Sequence, residues 1–231
     1  AYTAWGDDMR IGFLTGGRLS DHAAQLLESG ADVIVCGFQS LGEVSYEREL
    51  RGETGLFEEV ALLSKETKGV IVAGCFTDLP VGRRKSVVVA EKGRILGVSD
   101  MLNRMDGGEY RAGAGIKMFE TCPGKLGVIV AEDVCFPRVG ETLSVCGADL
   151  AVCVYEQFCG IEPVLARAQA YFFGLPFILC GYGYAFAADI GGRVRFASPR
   201  RVSSFDLPRE QEYHLVETRR RGVSRRQRSE I

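Results

Sequence analysis

Short apolar segments rich in β-branched residues alternate with amphipathic segments along the first half of the chain. Apolar runs of this kind are typical of strands that are buried on both faces. They predict strands at residues 11–14, 33–36, 70–76, 86–90 and 94–98. A helix is predicted at residues 20–28, with Ser20 as its N-cap and Gly30 as its stop. A second helix is predicted to begin after Thr54 and to end before Gly69.

The second half of the chain repeats this alternation. It predicts strands at residues 125–131, 149–154, 177–180, 184–188, 193–197 and 213–217. Pro137 opens one predicted helix, which Gly147 ends. Pro163 opens another, which runs through Phe173 and ends at Gly174.

One segment of the first half recurs in the second. Residues 30–36 read GADVIVC, and residues 147–153, which lie 117 positions later, read GADLAVC. Each copy ends a helix with glycine and enters a buried strand. Two similar halves that mix crossover helices with hairpins imply sheets covered by helices on their outer faces. We therefore predict an α/β fold with two mixed sheets and pseudo-twofold halves, arranged as a four-layer αββα sandwich.

Composition narrows the class of protein. The chain has 231 residues, of which 46% are hydrophobic and 25% charged, and this predicts one domain over residues 1–231. The formal net charge of −2 favours neither nucleic acid nor membranes as a partner. No apolar run approaches the roughly 18–20 residues that span a bilayer. The first residues show no signal-peptide pattern, so we expect a cytoplasmic protein.

The cysteines predict neither a metal site nor a cofactor site. There are eight, an even number that could form disulfides, but five of them lie in or beside apolar segments. Free buried thiols fit that placement better. The sequence contains no Cys-x-x-Cys motif, and His22 and His214 are far apart. The glycine-rich segments do not match a phosphate-binding loop. We therefore expect no metal and no cofactor.

Five blocks, in order, resemble one known family. Residues 30–36 resemble its "GADLVVF" strand, and residues 92–97 (KGRILG) resemble its "dGkilG" hairpin. Residues 109–113 (EYRAG) and 166–170 (ARAQA) resemble its "E-x-x-x-G" and "aRAxEN" segments. Residues 124–137 (GKLGVIVAEDVCFP) resemble "GkiGvxICyDxxFPe". Over roughly residues 11–217, the chain thus resembles the nitrilase, or carbon–nitrogen hydrolase, superfamily. The resemblance implies the αββα sandwich and a homodimer in which helical faces meet.

The same resemblance predicts that the superfamily's chemistry is lost. Its members use a glutamate base, a lysine that stabilises the oxyanion and a cysteine nucleophile, because a thiol needs a base and the oxyanion needs a cation. The corresponding positions here hold Phe38, Asp100 and Ala131. The alignment of the first two allows a shift of one residue, whereas anchors on both sides fix Ala131. We predict that the cysteine-dependent mechanism is absent.

Six other residues remain candidates for a reshaped pocket. Glu109 matches a second glutamate of the superfamily, or is an ordinary loop carboxylate. Asp133 matches an aspartate for which we favour a structural role, bonding backbone groups. A displaced nucleophile would require a thiol beside a base or cation, and we favour packed, inert thiols over it. The groups considered for such a displaced site are Cys135, Lys85, Glu156 and Cys159.

Two connections are short for the superfamily. They lie between the first strand and Ser20, and between Gly181 and Gly192. The loops that the superfamily carries at these places help to shape its active site, so their shortness adds to the prediction that catalysis is lost.

Three hypotheses for function follow. The first is a catalytically inactive relative whose reshaped pocket binds a small molecule or whose surface serves a partner. The second is an active carbon–nitrogen hydrolase with a displaced cysteine, above all Cys135. The third and weakest is a scaffold that acts through the basic tail, residues 218–231. No aromatic residues interleave with the arginines of that tail, so we expect a solvated or interface segment and no nucleic-acid partner.

Overall fold

The computed structural model describes residues 8–79, 82–105 and 109–208, together with the backbone of Glu212–His214 and Thr218–Arg220. In chain order, the elements of the first half are β1 (Met9–Leu14), α1 (Leu19–Glu28), β2 (Val33–Cys36), β3 (Gly42–Ser45), α2 (Tyr46–Leu50), α3 (Leu56–Thr67), β4 (Val70–Leu79), β5 (Gly82–Glu91) and β6 (Arg94–Asp100). Those of the second half are β7 (Met118–Glu120), β8 (Lys125–Val130), α4 (Pro137–Val145), β9 (Leu150–Gln157), α5 (Glu162–Phe173), β10 (Phe177–Tyr182), β11 (Tyr184–Ala188), β12 (Val194–Ser198), β13 (Val202–Leu207), β14 (Glu212–His214) and β15 (Thr218–Arg220).

Strands β14 and β15 pair only with each other, and the remaining strands form two mixed sheets with the same topology. The first has the order β13-β1-β2-β4-β5-β6, with β3 added beside β4, and the second has the order β7-β8-β9-β10-β11-β12. Each sheet contains three parallel neighbours followed by an antiparallel hairpin. At the other edge, β13 and β7 run antiparallel to β1 and β8. The pseudo-twofold halves predicted from the recurring segment are confirmed.

The two copies of the Gly-Ala-Asp segment make the same backbone contacts. The Asp32 carboxylate accepts the Arg10 amide at 2.8 Å, and the Asp149 carboxylate accepts the Lys125 amide at 2.9 Å. Each aspartate also donates its own amide to the carbonyl of that same residue. Arg10 lies at the start of β1 and Lys125 opens β8, so each aspartate ties the entry of one strand to the entry of its parallel neighbour.

Three hydrophobic layers hold the sheets and helices together. Every second residue of the strands points into a core between the sheets, for example Val33 and Val35 from β2, which faces β9 and β10 of the second sheet. The alternate residues pack under α1 and α3 on one side and under α4 and α5 on the other. The strands read as continuous apolar runs because both of their faces are covered. The four-layer αββα sandwich is confirmed.

Most predicted elements are present, but the two side-chain N-caps predicted for the helices of the first half are wrong. Ser20 lies inside α1, which begins at Leu19 without a side-chain cap. Thr54 does not cap α3. Its hydroxyl bonds Glu49, whose carboxylate accepts the amides of Leu56 and Phe57. A carboxylate that comes from another helix does this work, and local sequence does not reveal it.

Several elements were missed, and part of the chain was not described. The sequence did not predict β3, α2, β7 or β13. The strand predicted at residues 213–217 corresponds only to β14, since residues 215–217 lie outside the described residues. The same holds for most of the basic tail, of which only the backbone of Thr218–Arg220 is described. No helix in the described part of the chain is long and apolar enough to cross a membrane.

Candidate functional site

The turn after β8 holds Ala131 in an unusual backbone conformation. Strand β8 ends at Val130, and a short 3-10 helix follows over Ala131–Cys135. Ala131 has a φ of 48° and is fully buried. A left-handed conformation costs a residue with a Cβ roughly 1–2 kcal/mol, so it persists only where the surrounding structure enforces it. The turn is a strained elbow that presents a methyl group where the resemblance places a thiol.

Two further apolar residues belong to the same core between the sheets as Ala131. Phe38 opens the turn after β2 and stacks on Phe76, with ring centroids 5.0 Å apart. Met101 follows β6, and its amide donates to the Lys85 carbonyl at 2.9 Å. Phe38 and Met101 are each 3% exposed and belong to the same apolar cluster as Ala131. We call Phe38, Met101 and Ala131 the apolar trio.

Asp100, which the sequence placed in this pocket, lies on the other face of the sheet. Its carboxylate accepts the Ser86 hydroxyl at 2.8 Å and pairs with Arg84 at 2.9 Å. Ser86 and Arg84 share their face of β5 with Val88, which packs under the helices. The one-residue shift that the alignment left open is therefore realised, and Met101 takes the position expected for Asp100.

A buried lysine enters the site from β5. The Lys85 side chain is 8% exposed, and its Nζ lies 2.6 Å from Glu132 Oε1 and 2.9 Å from Glu156 Oε2. The same Nζ lies 5.1 Å from the centroid of the Tyr110 ring. Glu132 directly follows Ala131 on the elbow, and Glu156 lies near the end of β9. We call these four residues the Lys85 cluster.

The charges of the Lys85 cluster compensate one another. Burial alone would lower the pKa of the Lys85 ammonium. The hydrogen bonds and charges of Glu132 and Glu156 outweigh burial and raise that pKa above its ordinary value. One oxygen of Glu132, Oε2, is buried without a hydrogen-bond partner among the described residues. At neutral pH Lys85 is thus a charged donor held by two carboxylates, and not a nucleophile or a base.

The outer rim of the site is built on Arg83. Its guanidinium contacts the carboxylates of Glu43 and Glu109, the latter at 3.0 Å. It also lies over the rings of Phe76 and Tyr110, at 5.9 and 5.6 Å from their centroids. The Glu109 side chain is 61% exposed. The structure therefore places Glu109 in a surface ion pair at the rim, separated from Lys85 by Tyr110.

Asp133 bonds backbone groups, as the sequence predicted, but they belong to another segment. Its carboxylate accepts the amides of Leu102 and Asn103 at 2.8–3.1 Å, and also the Asn103 side-chain amide. Burial raises the pKa of Asp133 and these hydrogen bonds counteract that rise. The contact ties the elbow to the residues after Met101, so Asp133 fixes the relative position of two members of the apolar trio.

Neither candidate thiol lies beside Lys85. Cys135 packs with the cluster under α4 and α5, on the outer side of the second sheet, and burial raises its pKa. The Cys159 thiol donates to Glu162 Oε1 at 2.7 Å, and this bond raises the pKa of Cys159. Glu162 also accepts the amides of Cys159 and Gly160. Both thiols are held in the protonated form, which is the unreactive one.

Sequence reasoning missed Met101, Tyr110, Arg83 and Glu132 as parts of the site. Glu132 and Tyr110 carried a signal, since each lies in a block that resembles the superfamily, beside Asp133 and Glu109 respectively. Among the described residues, no group of three or more His, Cys, Asp or Glu residues could hold a metal ion. The described side chains of the site contain one buried cation and carboxylates, but no nucleophile that is ready to react.

Comparison with solved structures identifies the fold. The chain superposes on a mutant of the Nesterenkonia AN1 amidase from the nitrilase superfamily with a TM-score of 0.75 and 17% identity, over 90% of this chain and 94% of that one. It superposes on a carbon–nitrogen hydrolase from Helicobacter pylori G27 with a TM-score of 0.72 and 18% identity, over 87% and 89%. No family model and no curated protein matches the sequence. The fold of this chain is that of the nitrilase-superfamily amidases.

Proposed function

We propose that this chain is a nitrilase-superfamily protein that has lost carbon–nitrogen hydrolysis and acts by binding a small molecule or a partner. One observation carries the proposal: the strained elbow after β8 presents the methyl group of Ala131 at the position where the resemblance places a thiol. Such strain is usually kept at functional sites. Here it persists in a chain whose neighbouring positions, Phe38 and Met101, supply neither a base nor a cation.

Lys85 does not substitute for a cation that stabilises an oxyanion. Such a group must be free to bind the charge that develops in the transition state. The Nζ of Lys85 already contacts two carboxylates, at 2.6 and 2.9 Å. An anionic intermediate beside it would also face the charges of Glu132 and Glu156. The electrostatics of the cluster therefore disfavour the intermediate that amide hydrolysis requires.

The alternative of a displaced cysteine receives less support from the geometry. Cys135 lies on the helix side of the second sheet, whereas the apolar trio lies between the sheets. Cys159 donates to the Glu162 carboxylate, but no described ion pair brings a cation to these two residues, so an oxyanion formed there would lack a stabilising charge. A displacement of even one ångström lowers catalytic efficiency substantially. The tail hypothesis is a separate prediction, because the arginines concerned lie largely outside the described residues.

An amide hydrolysis assay tests the proposal. A mutant of the Nesterenkonia amidase has been solved in complex with butyramide, which makes this amide a suitable probe. We expect no release of ammonia from butyramide by this chain above the buffer rate, with the unmutated Nesterenkonia amidase assayed in parallel. Release that disappears in both Cys135→Ser and Cys159→Ser variants, or in either one, would establish the displaced-cysteine alternative and overturn the proposal.

We also propose that the chain forms a homodimer through its helical faces. The proposal is supported by large apolar side chains that α5 and the end of α4 leave exposed: Val145 at 79%, Val164 at 54% and Phe172 at 69%. Light scattering after size exclusion should give twice the mass of the chain. The variant Phe172→Glu should give a monomer, whereas Leu50→Glu, on the distant α2, should leave the dimer intact. A monomer in the unchanged chain would contradict this.

A further inference from the structure

The pseudo-twofold symmetry assigns a counterpart to every position of the candidate site. Arg10 at the start of β1 corresponds to Lys125 at the start of β8, through their matching bonds to Asp32 and Asp149. The parallel pairs Ile11 with Val33 and Leu126 with Leu150 give the same register. Counting along β1 and β8 from these pairs, the elbow at Ala131 corresponds to Gly16, in the connection between β1 and α1.

The counterparts of the charged side chains are mostly glycines. Glu132 corresponds to Gly17 by the same count. Lys85 corresponds to Gly183, because Cys36–Ala73–Val88 and Cys153–Leu179–Phe186 are matching rows across the two sheets. Glu156 corresponds to Gln39, which lies beside Gly16. The side chains that fill the first site are thus absent or neutral in the second.

The second site is an open cleft. A cavity of about 840 Å³ lies at Gly16 and Gly183, between α1 and the segment that joins β12 to β13. We call it the α1 cleft. It lies where the two short connections of the chain meet, the one between β1 and α1 and the one between β10 and β11. The positions that hold Lys85 and Glu132 in one half therefore correspond to glycines that leave room for a ligand in the other.

The groups lining the α1 cleft are complementary to a planar anion. Arg201 provides a guanidinium, His22 an imidazole and Gln25 a side-chain amide. Tyr182 is 56% exposed, and its ring provides an aromatic face. None of the lining residues in the described structure is acidic. Guanidinium groups bind carboxylates through two parallel hydrogen bonds, and the aromatic ring favours a flat apolar part in the ligand.

We propose that the α1 cleft binds a small organic carboxylate whose charged group lies on Arg201 and whose flat part lies on Tyr182. Helix α1 carries two acidic residues: Asp21, which does not line the α1 cleft, and Glu28, which lines a neighbouring cleft with Arg10 and Arg200. Neither residue lines the α1 cleft, so the positive charge of Arg201 is available to the ligand. This binding site is independent of the apolar trio and of the presence or absence of hydrolysis.

Benzoate is the probe for this proposal, and benzamide is its neutral counterpart of equal shape. In a titration followed by amide NMR, benzoate should bind saturably and shift the resonances of Gly16 and Gly183. Benzamide should bind at least tenfold more weakly. The variant Arg201→Gln should weaken benzoate binding about tenfold, as expected for one lost charged contact. The adjacent Arg200→Gln, whose side chain does not line the α1 cleft, should leave the affinity unchanged.

Three outcomes would overturn the proposal. The first is an absence of saturable benzoate binding. The second is equal weakening by Arg201→Gln and Arg200→Gln, which would indicate a diffuse attraction to basic surface. The third is equal affinity for benzoate and benzamide, which would show that the negative charge of the ligand does not contribute to binding. Both variants change exposed residues outside the cores, so neither should disturb the fold. A folding defect in one of them would be visible as changed chemical shifts throughout its amide spectrum.

Discussion

The two halves of the molecule share one frame and differ at the ends of corresponding strands. In both halves an aspartate ties parallel strands together, and alternate residues fill the same core. The turn after β8 contributes Glu132, one of the two carboxylates that hold Lys85, whereas the corresponding turn after β1 opens into a cleft. The fold of each half depends on backbone hydrogen bonds and on the alternation of inward- and outward-facing strand residues. The few side chains at the strand ends can therefore change without changing the fold.

The largest expected change in stability comes from a substitution that breaks the aromatic packing around Phe38. Phe38→Ala should lower the free energy of unfolding by about 4 kcal/mol, since it removes a buried aromatic side chain from a stack. Tyr155 lies 117 positions after Phe38, in the core under α4 and α5, where it is 8% exposed and 6.0 Å from Phe158. Tyr155→Ala should therefore cost less, about 2–3 kcal/mol. Urea unfolding of both variants measures the difference. A smaller loss for Phe38→Ala than for Tyr155→Ala would show that Phe38 is not part of the tighter core.

The ion cluster gives the next effect. Lys85→Met should destabilise the fold by about 3 kcal/mol, because it leaves the carboxylates of Glu132 and Glu156 without their cation. The Glu156 side chain is 44% exposed, so water relieves part of that loss. The double variant Lys85→Met with Glu132→Gln should recover part of the stability. Additive losses in the double variant would mean that Lys85 and Glu132 do not interact.

The stability of the fold at high pH should depend on Lys85, which has no charged counterpart in the other half. The pKa of Lys85 is raised by its carboxylate partners above the ordinary value of 10.5. The charge pairing therefore contributes fully below about pH 10.5 and is lost as pH rises through the higher folded-state pKa. Between pH 10 and 12, the unfolding free energy should fall more steeply in the unchanged chain than in Lys85→Met. Equal slopes would contradict the pairing.

The elbow gives the smallest effect and the most specific one. Ala131→Gly should change stability by less than about 1 kcal/mol, because relief of the left-handed strain offsets the added chain entropy and the lost methyl contact. The matched control is Ala73→Gly in β4, a buried alanine in a strand, which should cost about 1 kcal/mol or more. Calorimetry of the two variants makes the comparison. Equal losses would show that Ala131 is not strained.

The sequence predicted the layers well because both sheets are covered. Runs such as Val33–Cys36 contain no polar residue, which is typical of a strand buried on both faces. The glycines that end the preceding helices adopt positive φ angles, 60° at Gly30 and 79° at Gly147. β13 was missed because its residues, VSSFDL, lie at an edge and mix polar with apolar positions. An edge strand is defined by the partner it finds, here β1, near the other end of the chain.

The site was harder to predict for two physical reasons. A bulge in β6 makes Val89 pair with Gly97 while Ala90 pairs with Ile95. An extra residue in a strand reverses which side chains face inward, so counting from the hairpin did not distinguish Asp100 from Met101. The second reason is stacking. Lys85 and Glu132 lie in different halves and meet only because the two sheets pack face to face, which no local pattern encodes.

The central claim, that no activated thiol remains at the site, is tested most directly by fluoroacetamide. In a mutant of the Nesterenkonia amidase this reagent adds covalently at the active-site cysteine. With this chain at neutral pH, mass mapping should find only slow addition, at the rate of an ordinary thiol and confined to the exposed Cys122, Cys146 and Cys159. Rapid, stoichiometric addition at Cys135 or Cys159 would contradict the claim and support the alternative of an active amidase with a displaced cysteine.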